Sequence, residues 1–250
     1  MLVKPLTFHD RTEQILHPDK SKVQQQLQEI VEYSIENEMK INKSKTKAML
    51  FNTARTRDFT PKLNIEGDFI DVVEEMKLLG VKITSDLKWS ANTQYTTNRA
   101  YKKLWMLRRL KAFGANQTEL TDIYCKHIRF ILEFAAVVWH SGLSQENIGD
   151  IERVQKSACA IILGKEYESY ENALYVLNLE KLSARRQTLC LKFAKRAFKS
   201  DKFSSWFVPD KKTYNTRRKM CKTKPAQART TRFKKSPLPY LTSLLNISDY

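Results

Sequence analysis

Glycine and proline are scarce, at 6 and 7 in 250 residues, which disfavours collagen-like, loop-rich and small-barrel architectures. The four cysteines, Cys125, Cys159, Cys190 and Cys221, form no C-x-x-C and no Cys/His cluster. A zinc ribbon, a zinc finger and a disulfide scaffold are thereby disfavoured. No stretch approaches the ~20 consecutive apolar residues of a membrane span, and Met1–Asp10 has no apolar h-region. The chain therefore reads as soluble and intracellular, in the cytoplasm, the nucleus or both, with no membrane partner. Also missing are G-x-S-x-G, a P-loop, G-x-G-x-x-G and H-E-x-x-H, the marks of common hydrolases and of nucleotide and dinucleotide binders.

What is present is positive charge. Lys and Arg number 44 against 27 Asp and Glu, for a net of +17. Residues 1–100 are almost balanced at +1, so residues 101–250 carry +16. Clustered Lys and Arg bind polyanions by displacing counterions from phosphates, and nucleic acid is the partner this asymmetry favours over a merely solvated basic surface. The 42% of hydrophobic residues suffices for one large domain or two modest ones.

Periodicity divides the chain into an irregular arm (1–21), a mixed segment (22–90), a helical segment (91–200) and a basic, partly disordered tail (201–250). In the mixed segment Val23, Leu27, Ile30, Val31, Ile35 and Met39 form a helical stripe. Ala48–Phe51 has strand length, Leu63–Val73 reads as a hairpin around Glu66-Gly67-Asp68, and Met76–Ile83 reads as one more strand. All are expected to pair antiparallel. Beyond Trp89 the period is helical: Tyr101 to Phe113, a long stripe from Leu120 to Val138, Ile148 to Ile162 stopped by Gly164, a short helix near 172–177, and Leu182 to Phe198. Residues 211–235 are rich in Lys and Arg without apolar period, and Ser236–Asn246 is an apolar coda able to dock on the helices. The predicted class is α+β, mostly α: a helix with short antiparallel strands, then a helical bundle and the basic tail.

Catalytic groupings are thin. His127, on the Leu120–Val138 stripe, reads as a core histidine rather than a base. His9-Asp10 and His17-Pro18-Asp19 are loop neighbours that seldom form a working pair, and Glu74-Glu75 reads as solvated. Aromatics interleave with cations in Tyr95–Arg109 and in Phe193–Trp206, a pattern in which rings can stack bases and cations can hold phosphates. Trp105 and Trp139 nevertheless fall on apolar stripes and read as core, which leaves the cations as the candidate site.

Three strings suggest more. Asn42-Lys-Ser-Lys45-Thr-Lys47-Ala-Met-Leu-Phe51 resembles the N-x-x-K-T-x-x-M-x-F signature in the palm of non-LTR retrotransposon reverse transcriptases. Lys77-Leu-Leu-Gly80-Val-Lys-Ile83, followed by Asp86-Leu-Lys-Trp89, is similar to the family's next element, which supports the primer end. Leu104–Lys111, Tyr124, Ile128-Arg129, Leu132–Ala135, Val138-Trp139, Ile151–Lys156 and Ile161–Gly164 resemble the helical thumb of jockey-like elements. The resemblance spans roughly 22–200 in the family's order.

It implies that 22–90 is residual palm and 91–200 thumb. Lys45 and Lys47 would lie near the incoming triphosphate or template backbone, and Lys77 and Gly80 at the primer grip. Arg99, Lys102, Lys103, Arg108 and Arg109 would contact the duplex backbone, with Arg217 and Arg218 in the basic tail. These polymerases hold two Mg²⁺ ions on an aromatic-x-Asp-Asp loop and a further Asp, whereas the 250 residues contain no adjacent Asp pair. The loop would precede residue 1. The expectation is a C-terminal piece of an RNA-directed DNA polymerase that binds RNA and DNA primer–template, has the upstream polymerase region as a partner, and carries no catalytic residue or cofactor of its own. The alternative is a non-catalytic host RNA-binding or protein scaffold built on the helical bundle.

Overall fold

The computed structural model describes residues 22–51, 62–209, 223–224 and 227–247. Arg217 and Arg218 lie outside the described residues, as do His9 and His17. The protein is α+β and mostly α, in two compact units, Met1–Leu87 and Lys88–Tyr250.

In the first unit, α1 (Lys22–Glu36) buries Val31 and Ser34 but leaves Ile30, Tyr33 and Ile35 exposed. Gln24 ties it to β2 (Asn64–Ile65): its Nε2 donates to the Asn64 carbonyl at 3.0 Å, and its Oε1 accepts from the Asn64 N–H at 3.1 Å. The expected hairpin is present, with β2 antiparallel to β3 (Asp68–Phe69). Its Glu66-Gly67 turn has φ of 50° and 88°, the doubly positive pair of a type I′ turn.

Two strand expectations are corrected. The Ala48–Phe51 run shrinks to β1 (Lys47–Ala48), which pairs parallel, not antiparallel, with β4 (Asp71–Val72). The β2–β3 hairpin lies between them in sequence and supplies the crossover that parallel pairing requires. Met76–Ile83 is not one strand but a hairpin of β5 (Glu75–Leu78) and β6 (Val81–Thr84). It folds back through Leu79-Gly80, with φ of 47° and 89°. Gly80 takes the left-handed backbone at no steric cost, and Leu79, turned outward and exposed, accepts it at about 1–2 kcal/mol.

The second unit is a helical bundle. Helix α2 (Ser90–Ala112) lies along α6 (Gln145–Leu163), and α7 (Tyr170–Val176) and α8 (Leu182–Phe198) complete one side. Helix starts are locally encoded. Asn116 and Glu119 form a reciprocal capping box for α3 (Gln117–Ile123), while Ser144 and Ser169 cap α6 and α7.

The single helix expected over Leu120–Val138 is broken. Its first part runs from α3 through a π-helical turn (Tyr124–Arg129) into α4 (Phe130–Glu133). Ala135, at φ 52°, then reverses the chain before α5 (Ala136–Trp139). The Trp139 indole N–H donates to the Phe134 carbonyl across the break at 2.9 Å. Tyr124, Ile128 and Leu132 stay buried, whereas His127 turns out to solvent, so its core assignment is corrected.

The apolar coda docks. After the short α9 (Thr231–Lys234), helix α10 (Pro237–Ile247) inserts Leu241, Leu244 and Leu245 against Cys190, Ala194, Ala197 and Phe207. Asn246 fastens Thr223 to it, accepting from its N–H at 3.1 Å and donating to its carbonyl at 3.0 Å. This part of the 201–250 segment thus belongs to the bundle rather than to a loose tail.

Candidate nucleic-acid interface

The second unit holds 31 of the 44 Lys and Arg but only 13 of the 27 Asp and Glu. The densest stretch is α2, whose 23 residues include six cations and no acid. Its buried face is Asn92, Thr93, Thr96, Thr97, Ala100, Leu104 and Leu107. Two of the three threonines return their hydroxyls to the helix, Thr96 Oγ1 donating to the Asn92 carbonyl at 2.9 Å and Thr97 Oγ1 to that of Thr93 at 2.8 Å, whereas the buried Thr93 Oγ1 has no partner among the described residues. An inner face that includes three threonines escapes a reading by hydrophobicity, which places the apolar stripe on Tyr101 and Trp105 instead.

Trp105 is in fact 61% exposed and Phe113 77% exposed, which corrects the core assignment of Trp105. Trp139 is buried as expected. Along the helix, residues three and four apart are surface neighbours. Trp105 therefore sits inside a ring of Tyr101, Lys102, Arg108 and Arg109, all exposed.

Two arginines here are steadied by rings. The Arg99 guanidinium lies 5.3 Å from the Tyr95 ring centre, and that of Arg109 lies 5.5 Å from Phe113. Such stacking holds the planar fork while leaving its N–H edges free for phosphate. Lys103 is also exposed, nearer the edge of the face. None of these five candidate cations forms an ion pair with the described residues. Lys111, the sixth cation, is committed to structure: its Nζ donates to the carbonyls of Ile161 and Ile162.

On the Tyr101 side a cleft of about 390 Å³ opens between α2 and α6, lined by Ser90, Gln94, Thr97 and Tyr101 and by Glu146, Asn147, Asp150 and Arg153. Asp150 is paired with Arg153. A second basic face lies on α8, where Lys192, Lys195, Arg196 and Lys199 at its end are exposed.

In the first unit Lys45 is exposed in a 3₁₀ turn that Asn42 caps, while Lys47 is neutralised by Asp71, its partner in the β1–β4 register. Neighbouring Lys43 is also engaged, by Glu66 at 2.9 Å and Asp68 at 2.7 Å, and both partners raise its pKa. Lys77 is exposed on β5, and Gly80 forms the β5–β6 turn. Lys45 is thus more available to phosphate than Lys47.

Among the described residues no cysteine is poised as a nucleophile and no metal-binding group accompanies these cations. Burial pushes the Cys159 thiol up to about 12 and Cys190 up to about 11, and raises Cys125, so none is a ready thiolate at neutral pH. Among the described residues no three His, Cys, Asp or Glu side chains gather to hold a metal ion. No helix among the described residues is long and apolar enough to cross a membrane.

On α8, Arg186 is fully buried with Nη1 and Nη2 unpartnered among the described residues. It lies over the Trp139 ring at 5.7 Å and donates its Nε–H to His140 Nδ1 at 3.4 Å. Nothing in the α8 stripe distinguished it from the solvated cations of that helix.

Comparison with family models, curated proteins and solved structures returns no match to this chain.

Proposed function

We propose that this chain is a nucleic-acid-binding C-terminal part of an RNA-directed DNA polymerase of the non-LTR, jockey-like kind, holding primer–template through its phosphate backbone without catalysing synthesis. The observation that carries the reading is the acid-free α2 face, where Arg99, Lys102, Lys103, Arg108 and Arg109 stand without acidic partners among the described residues. Two of these guanidinium groups rest on aromatic rings. Cations spaced along a rigid helix meet a regular phosphate backbone at fixed intervals, which positions a duplex without reading its sequence. The three strings in palm-to-thumb order supply the polymerase assignment, and Lys45 and Lys77 are the palm-side contacts in this reading.

The test is equilibrium binding to an RNA–DNA duplex across a salt series. Each phosphate neutralised contributes about 0.9 to the negative slope of log affinity against log salt on duplex DNA. Replacing the five α2 cations with Gln should flatten that slope by several units and weaken binding at least a hundredfold at low salt. Templated extension on a primed RNA with Mg²⁺ or Mn²⁺ should be absent. Unchanged duplex binding by the five-site variant would instead favour the scaffold reading, and extension surviving repurification would overturn the non-catalytic assignment.

A further inference from the structure

We infer that Trp105 is a stacking platform for an unpaired base, which makes the exposed face of α2 a site for single-stranded polynucleotide. The inference rests on the reading of α2 as a backbone-binding helix and adds to it the kind of strand the face prefers.

An indole that is 61% exposed at the centre of a helix face costs solubility and contributes little to a core. Its surroundings point to a ligand that is anionic and flat at once. Tyr101, one turn before it, is 40% exposed, and the two rings are separated by about 6 Å of helical rise. Lys102 and Arg109 lie seven residues apart, close to two turns, and so form one cationic line alongside Trp105. Arg108 closes the ring on the other side. Beyond Tyr101 the face ends at Glu146 of the adjoining cleft, where Asp150 is already paired with Arg153, and the Glu146 carboxylate disfavours phosphate on that side.

This arrangement has a direction across the helix: phosphates along Lys102 and Arg109, bases over Trp105 and Tyr101. A paired duplex cannot use the indole, because its bases are already stacked on one another. A single strand or an overhang at a duplex end can, and base–aromatic stacking is worth about 1–3 kcal/mol per base. An acidic peptide would satisfy the cations but leave the indole without a flat partner.

The test compares parent, Trp105→Leu, Trp105→Phe and the five-site Gln variant by fluorescence anisotropy. The probes are a single-stranded oligothymidylate, an abasic strand of equal length and a blunt duplex. Because Trp105 is outside the core, Trp105→Leu should melt within about 2 °C of the parent. It should lose about tenfold in affinity for oligothymidylate and less than twofold for the abasic strand and blunt duplex, with Trp105→Phe retaining most of the binding. Equal losses on the abasic and base-bearing strands, or none on any probe, would overturn the stacking role while leaving backbone binding intact. Loss of every probe's binding only in the five-site variant supports the underlying reading, and its absence there refutes that reading separately.

Discussion

Lys111 Nζ donates to the carbonyl oxygens of both Ile161, at 2.7 Å, and Ile162, at 2.8 Å. These are among the last carbonyls of α6, which have no partner within their own helix. The cation at the end of α2 thereby closes α6 and lies at the negative end of its dipole. Gly164 makes the contact possible: a Cβ there would fall 2.5 Å from Lys111 Nζ, and its φ is +63°.

Lys111→Met should therefore destabilise the second unit by about 1.5–3 kcal/mol, the range for hydrogen bonds to charged groups, and leave duplex affinity within twofold. Chemical unfolding and anisotropy check the two halves. A weakened duplex complex without loss of stability would mean that Lys111 belongs to the binding face.

A buried polar relay joins the helices of this unit. Tyr124 Oη donates to Gln155 Oε1 at 2.6 Å, and Gln155 Nε2 donates to Tyr170 Oη at 3.0 Å and to the Glu180 carbonyl at 2.9 Å. Tyr170 Oη donates to Glu152, which also accepts the Leu182 and Ser183 N–H groups at the start of α8. Gln155→Leu should cost about 2–4 kcal/mol, because it strands the buried Tyr124 hydroxyl and the Glu180 carbonyl. Adding Tyr124→Phe should recover part of that loss. Strictly additive unfolding energies for the two changes would show that the relay carries no coupling.

His140 gives the bundle a pH dependence. Burial, with the facing Arg186 guanidinium second, lowers its pKa from 6.5 to about 4. The neutral ring is thus the folded form, accepting from Arg186 Nε. Between pH 6.5 and 4 the unfolded chain takes up a proton that the folded chain refuses, so stability is full above 6.5 and falls as pH drops through this window. At about 1.4 kcal/mol per unit the loss approaches 3 kcal/mol, less what residual solvent contact returns. His140→Asn should remove this component. Parallel stability-versus-pH curves for parent and variant in urea unfolding would sink the assignment.

Ending the chain after Ser236 removes α10 and with it Leu241, Leu244 and Leu245. At about 2 kcal/mol per buried leucine the loss is on the order of 6 kcal/mol. The shortened chain should melt at least 10 °C lower and bind a hydrophobic dye at its exposed α8 surface. An unchanged melting curve would show that α10 is dispensable to the bundle.

The sequence by itself determined the class, the charge asymmetry, the helix stop at Gly164, the docking coda and the Glu66-Gly67 hairpin. These are local effects of period, capping and turn chemistry, and they act within a few residues. The parallel β1–β4 pair, the π-helical turn and the Ala135 break were decided only in the tertiary structure, where packing overrides a continuous helical pattern. Burial of Arg186 and exposure of His127 were settled there as well. The candidate site divides along the same line. Its cations were legible as charge, but Trp105 was not, because whether an apolar residue faces core or solvent depends on which neighbours close the other side. On α2 that side is closed by Asn92, three threonines, Ala100, Leu104 and Leu107, with the Thr96 and Thr97 hydroxyls satisfied within the helix, and this leaves the indole to water.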